Sequence, residues 1–229
     1  MNAQGRADPF EPGSLIASGR TADVFDLGDG RVLRRYRDGA DAGAEAELMR
    51  HVALHGYPAP AVYAATGPDL VMELIEGPTM VEAIAADDLD MGEAASMLGH
   101  LHDWLHRLPG RTEGSHVLHL DLHPLNVMLP ARGPVVIDWG AAREGDPALD
   151  VAMTALIIAE VAASPTEDLA PLAGELLRGF VTAVCVDAGF LLDDAVGLRR
   201  QDPHLTTEEH ERLGDAAALV RAARGSSPR

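Results

Sequence analysis

Short apolar runs separated by turn residues mark the first part of the chain. The runs before residue 36 are Leu15-Ile16, Val24-Phe25 and Val32-Leu33. Residues 28–30, which read Gly-Asp-Gly, lie between the second and the third run. Short apolar runs on both sides of such a segment are typical of β-hairpins, so we expect three strands here with a tight turn at residues 28–30.

One helix and two further strands are predicted next. Residues 41–55 are rich in Ala, Glu and Leu and predict a helix that ends near Gly56, because Pro58 and Pro60 prevent its restart. Residues 61–63 and 70–74 have the apolar composition of short strands. The predicted order to this point is strand, strand, strand, helix, strand, strand.

Helical patterns dominate after residue 77. Residues 90–108 carry four leucines at helical spacing, which form one apolar face: Leu98, Leu101, Leu105 and Leu108. Further helices are predicted at residues 149–163, 167–187 and 207–223, and short strands at 127–129 and 135–137. The sequence therefore predicts an α+β protein with a strand-rich part at residues 1–76 and a helical part at residues 77–229.

The charge of the chain disfavours two classes of partner. The formal net charge is −18 and the isoelectric point is about 4.7. Nucleic acids and anionic membranes would repel such a protein, so we expect neither as a partner. A cationic substrate is compatible with this charge, although an acidic surface is also a common means of keeping a protein soluble.

Cysteine content and apolar runs favour a cytoplasmic protein. Cys185 is the only cysteine, which excludes an intrachain disulfide and a zinc site built from several thiolates. Residues 1–12 lack the apolar segment of a secretory signal. The longest nearly uncharged apolar run, residues 151–159, is well short of the roughly 20 residues that cross a bilayer, and predicts a buried helix instead.

Two neighbouring segments carry the residues best suited to catalysis. Residues 119–126 read His-Leu-Asp-Leu-His-Pro-Leu-Asn, and residues 138–140 read Asp-Trp-Gly. The spacing resembles the catalytic loop and metal motif of protein-kinase-like phosphotransferases. The His-Pro pair and the Trp make it most similar to the aminoglycoside phosphotransferase and choline kinase superfamily. This resemblance implies a two-lobed protein-kinase-like fold, with an antiparallel sheet and one helix in the N-terminal lobe and a larger helical C-terminal lobe.

The resemblance also implies a role for each polar residue of these segments. Asp121 would be the catalytic carboxylate that accepts the hydrogen of the substrate hydroxyl. Asn126 and Asp138 would bind Mg²⁺, because amide and carboxylate oxygens are the hard ligands that this ion prefers. His119 would hold the loop backbone. For His123, packing within the loop and contact with phosphate or substrate remain equally open.

A phosphate-covering turn and a hinge strand are implied for the nucleotide. Ser18 and Gly19 lie between the first two predicted strands, where small residues let backbone amides approach phosphate oxygens. The backbones of Glu73 and Ile75 would meet the edge of the purine of ATP or GTP. A single glycine in a hairpin is more often only a turn.

An arginine takes the place where kinases carry a lysine on the third strand. All 18 basic residues of the chain are arginines. Strand alternation selects Arg34 rather than Arg35 if Val32 lies over the nucleotide. A carboxylate of the following helix would orient this cation, and we choose Glu45, which leaves Glu47 facing solvent.

Several other polar residues have structural interpretations. Asp146 suits a helix N-cap before Pro147, and Asp150 is expected to anchor the catalytic loop by accepting backbone hydrogen bonds. His102 and His106 are four residues apart on one predicted helix and could bind a metal. No carboxylate at useful sequence spacing completes such a site, so we assign both histidines to packing or to the surface.

The predicted function is transfer of the γ-phosphate of ATP or GTP to a hydroxyl of a small molecule, an aminoglycoside-like antibiotic or a metabolite. A nucleotide-binding pseudokinase that regulates a protein partner is the alternative, because the usual lysine is missing. A protein serine/threonine kinase is disfavoured, since no Ala-Pro-Glu motif follows Asp138. The chain also lacks Walker A, Gly-x-Ser-x-Gly and His-Glu-x-x-His motifs, which argues against other nucleotide-binding classes and hydrolases.

Overall fold

The computed structural model describes residues 10–225, which belong to two compact units that divide between Ile75 and Glu76. The first unit is a five-stranded antiparallel sheet with one helix. Its strands are β1 (Leu15–Ser18), β2 (Ala22–Gly28), β3 (Arg31–Tyr36), β4 (Val62–Thr66) and β5 (Asp69–Glu73), and its helix is α1 (Gly43–Leu54). The strands lie in the order β1-β2-β3-β5-β4, and α1 packs against β4. The predicted order of strands and helix is confirmed.

The turn between β2 and β3 has the backbone conformation that its sequence favours. Gly28, Asp29 and Gly30 have φ angles of 74°, 52° and 72°. Glycine and aspartate adopt this left-handed region at low cost, which is why the Gly-Asp-Gly segment closes the hairpin. Inside the unit, Leu33 and Leu70 of the sheet and Val52 of α1 are fully buried.

The second unit is built around one central helix. The helices of this unit within residues 76–225 are α2 (Met80–Ala85), α3 (Met91–Leu105), α4 (Pro147–Ala162), α5 (Ala170–Ala183), α6 (Leu192–Arg199) and α7 (Thr207–Gly225). Helix α4 packs against α5, α6 and α7, and twelve consecutive or nearly consecutive residues of it are buried. This explains why its sequence is apolar on every side rather than along one stripe.

Two pairs of short strands hold the loops of this unit. Strand β6 (His116–Leu118) pairs with β9 (Arg143–Gly145), and β7 (Val127–Met128) pairs with β8 (Val135–Val136). Both pairs are antiparallel. The β7–β8 pair lies within the predicted strand segments, whereas β6 and β9 were not predicted. Strand β9, which reads Arg-Glu-Gly, contains no apolar residue that would mark a strand.

Two helices also escaped prediction. Helix α2 has six residues and is fixed by a capping box, in which Thr79 and Glu82 exchange side-chain and backbone hydrogen bonds. Helix α6 is eight residues long. Helices this short contain about two turns, so their apolar periodicity is too brief to detect.

Helices α3 and α5 approach closely where glycines replace larger residues. A Cβ placed on Gly99 would lie 2.9 Å from the Cβ of Ala183, and one placed on Gly179 would lie 2.6 Å from the Cβ of Ala95. The close packing buries Phe180 completely. Among residues 10–225, no helix combines the length and the apolar character needed to span a membrane.

A carboxylate on β9 ties down the loop before β6. Glu144 accepts hydrogen bonds from the backbone amides of Arg111 and Thr112 and from the hydroxyl of Ser115. Hydrogen bonds from Thr112, Ser115 and Arg111 lower the pKa of Glu144 from 4.5 to about 2. The ionised carboxylate is therefore the form that stabilises this corner of the unit.

Replacing Glu144 with glutamine should make the free energy of unfolding depend less on pH under acidic conditions. Because the folded pKa lies below the unfolded value of 4.5, the contribution of Glu144 is complete above pH 4.5 and is lost as the pH falls towards 2. The free energy of unfolding measured by urea denaturation should therefore decrease more steeply in the wild type than in Glu144→Gln between about pH 5.5 and about pH 3.5. At neutral pH the variant should be less stable by about 1–2 kcal/mol. Glu113→Gln, which changes an exposed glutamate on the same loop, is the control, and parallel profiles for all three proteins would contradict the prediction.

Candidate active site

The β7–β8 pair brings the predicted catalytic and metal residues to one end of a hairpin. Val127 lies opposite Val136, and the amide of Ile137 donates to the carbonyl of Asn126 at 3.0 Å. Asn126 therefore precedes β7 at the same end where Asp138 follows β8. Both segments lie between the paired strands β6 and β9 in sequence, because β6 precedes the catalytic loop and β9 follows Asp138.

Asn126 is fixed directly against Asp121. Its Nδ2 donates to the backbone carbonyl of Asp121 at 2.9 Å and to its carboxylate Oδ2 at 3.0 Å. The Asn126 side chain is buried, so these bonds set its orientation. The amide oxygen Oδ1, which is the atom a cation needs, lies on the other side of the planar group.

Asp121 is held in the ionised form. Burial by itself raises the pKa of this carboxyl, but the hydrogen bond and the charge of His123, together with the charge of Arg199, outweigh burial and lower the pKa below its ordinary value. His123 Nε2 lies 3.5 Å from Asp121 Oδ1, and the side chain of Asp121 is 32% exposed. An ionised, accessible carboxylate can orient a hydroxyl group and accept its hydrogen.

Asp138 is exposed at a point where the backbone is left-handed. Its φ angle is 63°, in a region that aspartate adopts more readily than most residues other than glycine. The next residue, Trp139, is almost fully buried and donates from Nε1 to the carbonyl of Val136 at 2.9 Å. The buried indole thus fixes the turn that presents the carboxylate of Asp138 to solvent.

His119 bridges the two segments as a neutral ring. Its Nε2 donates to the carbonyl of Ile137 at 3.1 Å, while Nδ1 accepts from the amide of Asp121 at 3.3 Å. Burial lowers the pKa of His119, against the opposing effect of the carboxylates of Asp150, Asp121 and Asp138. The ring also packs edge-on against Trp139, with centroids 4.7 Å apart. This geometry matches the expected structural role of His119.

The donor set of the two segments fits Mg²⁺. Asn126 offers an amide oxygen and Asp138 an accessible carboxylate, and both are hard oxygen ligands. Mg²⁺ is usually held by one or two carboxylates or equivalent groups, with water and phosphate oxygens at the remaining positions. Asn126 and Asp138 are therefore the residues that could hold this ion.

A buried aspartate of α4 supports the catalytic loop from below. Leu120, next to Asp121, has a φ angle of 63°, and its amide donates to Asp150 Oδ1 at 2.6 Å. Four residues further along α4, the hydroxyl of Thr154 donates to the carbonyl of Leu122 at 2.9 Å. One face of α4 therefore fixes the backbone on both sides of Asp121.

Two histidines complete a fully buried cluster around Asp150. His106 Nε2 lies 2.7 Å and His102 Nδ1 3.5 Å from Asp150 Oδ2. Burial raises the pKa of Asp150, but His102 and His106 overcome it and hold the pKa well below the ordinary value. The expectation that no carboxylate joins these histidines, and the option of a surface role, are wrong. The carboxylate comes from another helix, 44 residues away from His106 in sequence.

Arg34 and Glu45 are brought together in the first unit. Arg34 Nη1 and Glu45 Oε1 are 2.6 Å apart, and both side chains are less than 10% exposed. Arg35 points to the other face of the strand, where it pairs with Asp69 at 2.6 Å. A guanidinium keeps its charge at all physiological pH values, so this buried pair remains ionic.

Tyr36 is a further member of this cluster that was not predicted. Its hydroxyl donates to Glu45 Oε2, and the guanidinium of Arg34 lies 5.0 Å from the centre of its ring. Tyr36 is two residues after Arg34 on β3 and so lies on the same face of the strand. The alternation that selected Arg34 could therefore have identified Tyr36 as well.

Several polar groups of the predicted phosphate turn and hinge form hydrogen bonds within the protein itself. The amide of Gly19 donates to the carbonyl of Ala22 at 2.9 Å, and the hydroxyl of Ser18 donates to Asp23 at 2.6 Å. The amide of Glu73 donates to Ala61 at 2.9 Å, so a purine contact at Glu73 would involve its carbonyl group. Ile75 is half-buried at the end of this unit. Nucleotide contacts of these four residues stay predictions.

The fold and the loop geometry are similar to those of kinase-like phosphotransferases. The model of the phosphotransferase enzyme family matches residues 13–114 and 72–185, which together include well over half of the chain. The chain belongs to this family.

Solved structures with a similar fold are distant in sequence. A choline/ethanolamine kinase family protein from Mesorhizobium loti has a TM-score of 0.58 and 18% identity, with 97% of this chain and 95% of that chain covered. The amicoumacin kinase hAmiN, in complex with AMP-PNP, Ca²⁺ and Ami, has a TM-score of 0.57 and 13% identity, with 94% and 88% covered. These similarities establish the protein-kinase-like fold.

A curated relative is similar over a limited region. The chain is 27% identical over 198 residues to a probable bifunctional tRNA threonylcarbamoyladenosine biosynthesis protein of Methanoculleus marisnigri. The match covers 80% of this chain and 34% of that protein. The chain thus spans about a third of the length of this relative.

Proposed function

We propose that the protein transfers the γ-phosphoryl group of ATP or GTP to a hydroxyl group of a small molecule. The observation that carries the proposal is the ionised carboxylate of Asp121, held by Asn126 at 3.0 Å at the hairpin end where Asp138 follows β8. Membership of the phosphotransferase family and structural neighbours solved with ATP analogues support it.

In the proposed reaction, Asp121 orients the acceptor hydroxyl and takes up its hydrogen. The acceptor oxygen forms a bond to the γ-phosphorus while the bond from this phosphorus to the bridging oxygen breaks, so that the nucleoside diphosphate leaves. Such a transition state is loose and highly charged, and the protein mainly positions the reactants and stabilises charge. Mg²⁺ bound by Asn126 and Asp138 would neutralise charge on the phosphate oxygens. Arg34, oriented by Glu45, would bind the α- and β-phosphates.

A panel of hydroxyl compounds with ATP or GTP tests the proposal. We expect transfer of radiolabelled γ-phosphate to at least one amino alcohol, sugar or antibiotic of the panel, dependent on Mg²⁺. Without an acceptor, slow hydrolysis of the nucleotide by water is expected, and Asp138→Ala should reduce it at least tenfold, which corresponds to about 1.4 kcal/mol of barrier. Glu76→Ala, an exposed carboxylate of the same unit, is the control.

A regulatory nucleotide-binding protein is the competing function. Two observations favour it. Arg34 stands where kinases carry a lysine, and the matching region forms only 34% of the longer curated relative. Tight binding of nucleotide without transfer to any acceptor and without hydrolysis would favour this alternative. Hydrolysis that requires both Mg²⁺ and Asp138 would exclude it.

A further inference from the structure

An apolar cavity opens beside the catalytic loop in the second unit. Its volume is about 140 Å³. It is lined by α2, by the first residue of α3, by the catalytic loop and by α4 and α5, with side chains that include Ile84, Pro124, Leu125, Ile157 and Leu176. Among the described residues that line it, His123 is the single one with a polar side chain.

His123 connects this cavity to the catalytic carboxylate. Its ring forms part of the cavity wall, and its Nε2 lies 3.5 Å from Asp121 Oδ1. Leu125, which also lines the cavity, directly precedes Asn126. If the hydroxyl group of a molecule lies at Asp121, the neighbouring atoms of that molecule can therefore reach the cavity.

Large apolar side chains are exposed at the cavity. Leu125 is 54% exposed, Leu169 39% and Leu172 38%. They come from the catalytic loop and from α5 with the residue before it, so the exposed apolar surface is formed by segments far apart in sequence. Exposed apolar surface of this kind is typical of binding sites, because its burial by a ligand is favourable.

Size and charge limit what the cavity can accept. A dry apolar cavity of about 150 Å³ binds benzene, so a phenyl ring or a short alkyl chain fits a space of this size. The net charge of −18 disfavours anionic compounds. The cavity therefore suits a compact apolar group on a neutral or cationic molecule.

We propose that this cavity binds an apolar substituent of the phosphate acceptor. The acceptor class is then a neutral or cationic alcohol that carries a group of phenyl or hexyl size near its reacting hydroxyl. This inference rests on the proposed function, since it concerns the acceptor of that reaction. It excludes compounds that are polar throughout from the predicted class of acceptors.

Binding of a neutral apolar dye tests the cavity independently of catalysis. The dye N-phenyl-1-naphthylamine is uncharged, fluoresces in apolar surroundings, and carries a phenyl group of the size that the cavity accepts. Ala85 lies in the cavity lining at the exposed end of α2, so a tryptophan there can fill the cavity without disturbing a packed core. We expect saturable dye binding to the wild type and at least tenfold weaker binding to Ala85→Trp. Ala86→Trp, exposed and outside the lining, should bind the dye as the wild type does.

Matched acceptors then test whether the cavity serves the transfer reaction. Each pair shares a polar head and differs in its apolar group, as 2-aminoethanol and 2-(hexylamino)ethanol do. Each methylene that becomes buried favours binding about fourfold, so the alkylated member should have a kcat/KM at least tenfold higher. This ratio should fall towards one in Ala85→Trp and stay high in Ala86→Trp.

The outcomes separate this inference from the proposed function. Equal dye binding by all three proteins, or an equal kcat/KM ratio within the pairs for all three, would overturn the cavity as an acceptor site while transfer itself still stands. Absence of transfer to every acceptor, with normal dye binding, would overturn the proposed function and with it the assignment of the cavity to an acceptor.

Discussion

Asp121→Asn should lower the rate of phosphoryl transfer about a thousandfold, within the range that a positioned proton acceptor contributes. Asparagine has the same shape, and its carbonyl oxygen can still accept the hydrogen bond that Asn126 donates at 3.0 Å. It lacks the negative charge that orients the acceptor hydroxyl and receives its hydrogen. The measurement is kcat for transfer to the acceptor identified in the panel, together with the dissociation constant for the nucleotide.

Nucleotide affinity and a matched substitution control this prediction. The dissociation constant for ATP should change less than threefold, because Asp121 is assigned to the acceptor rather than to the nucleotide. Asp90→Asn makes the same chemical change at the N-cap of α3, where asparagine caps equally well, and should leave kcat unchanged. A loss of less than tenfold for Asp121→Asn would show that this carboxylate is not the catalytic group.

Asp150→Ala should destabilise the protein by about 2–6 kcal/mol, because it leaves two buried polar groups without their partner at about 1–3 kcal/mol each. The substitution removes two oxygen atoms that hold neighbouring groups. Oδ1 accepts a hydrogen bond from the Leu120 amide at 2.6 Å, and Oδ2 lies 2.7 Å from His106 Nε2. Both groups are left in a site without access to water, and Leu120 loses the bond that holds its left-handed backbone. The free energy of unfolding, measured with urea near pH 7.5, is the quantity to compare.

Asp150→Asn provides the graded comparison. Its side-chain oxygen can still accept from Leu120, but its amide NH₂ group replaces the carboxylate oxygen that faces His102 and His106. We therefore expect a loss about half as large as that of Asp150→Ala. If the alanine variant loses less than about 1 kcal/mol, the aspartate does not support the loop in the manner described.

Local sequence patterns were sufficient for the elements and for part of the site. Strand alternation placed Arg34 and Arg35 on opposite faces of β3, and the structure pairs them with Glu45 and Asp69 respectively. The spacing of Asp121 and Asn126 placed both residues in one short loop, and they are hydrogen-bonded. These features depend on residues close together in sequence, or on the alternation of side chains along one strand, which a sequence displays directly.

Features that depend on contacts between distant helices were not predictable. Nothing in the sequence around His102 and His106 indicates that Asp150, on another helix, will lie next to both of them. The apolar cavity likewise arises from five separate segments, which carry no common sign of a binding site in the sequence. Such sites are determined by how helices pack, and periodicity reports only which face of a helix is buried.

The arginine at position 34 determines which chemical reagents can detect this protein. Probes that identify nucleotide-binding proteins by acylating a lysine beside the phosphates find no side-chain amine among these 229 residues. Surveys of cell extracts with such probes would therefore overlook the protein even when it is abundant and active. Dicarbonyl compounds that react with guanidinium groups are the appropriate alternative, and they would label the exposed arginines of the chain, since Arg34 is buried against Glu45.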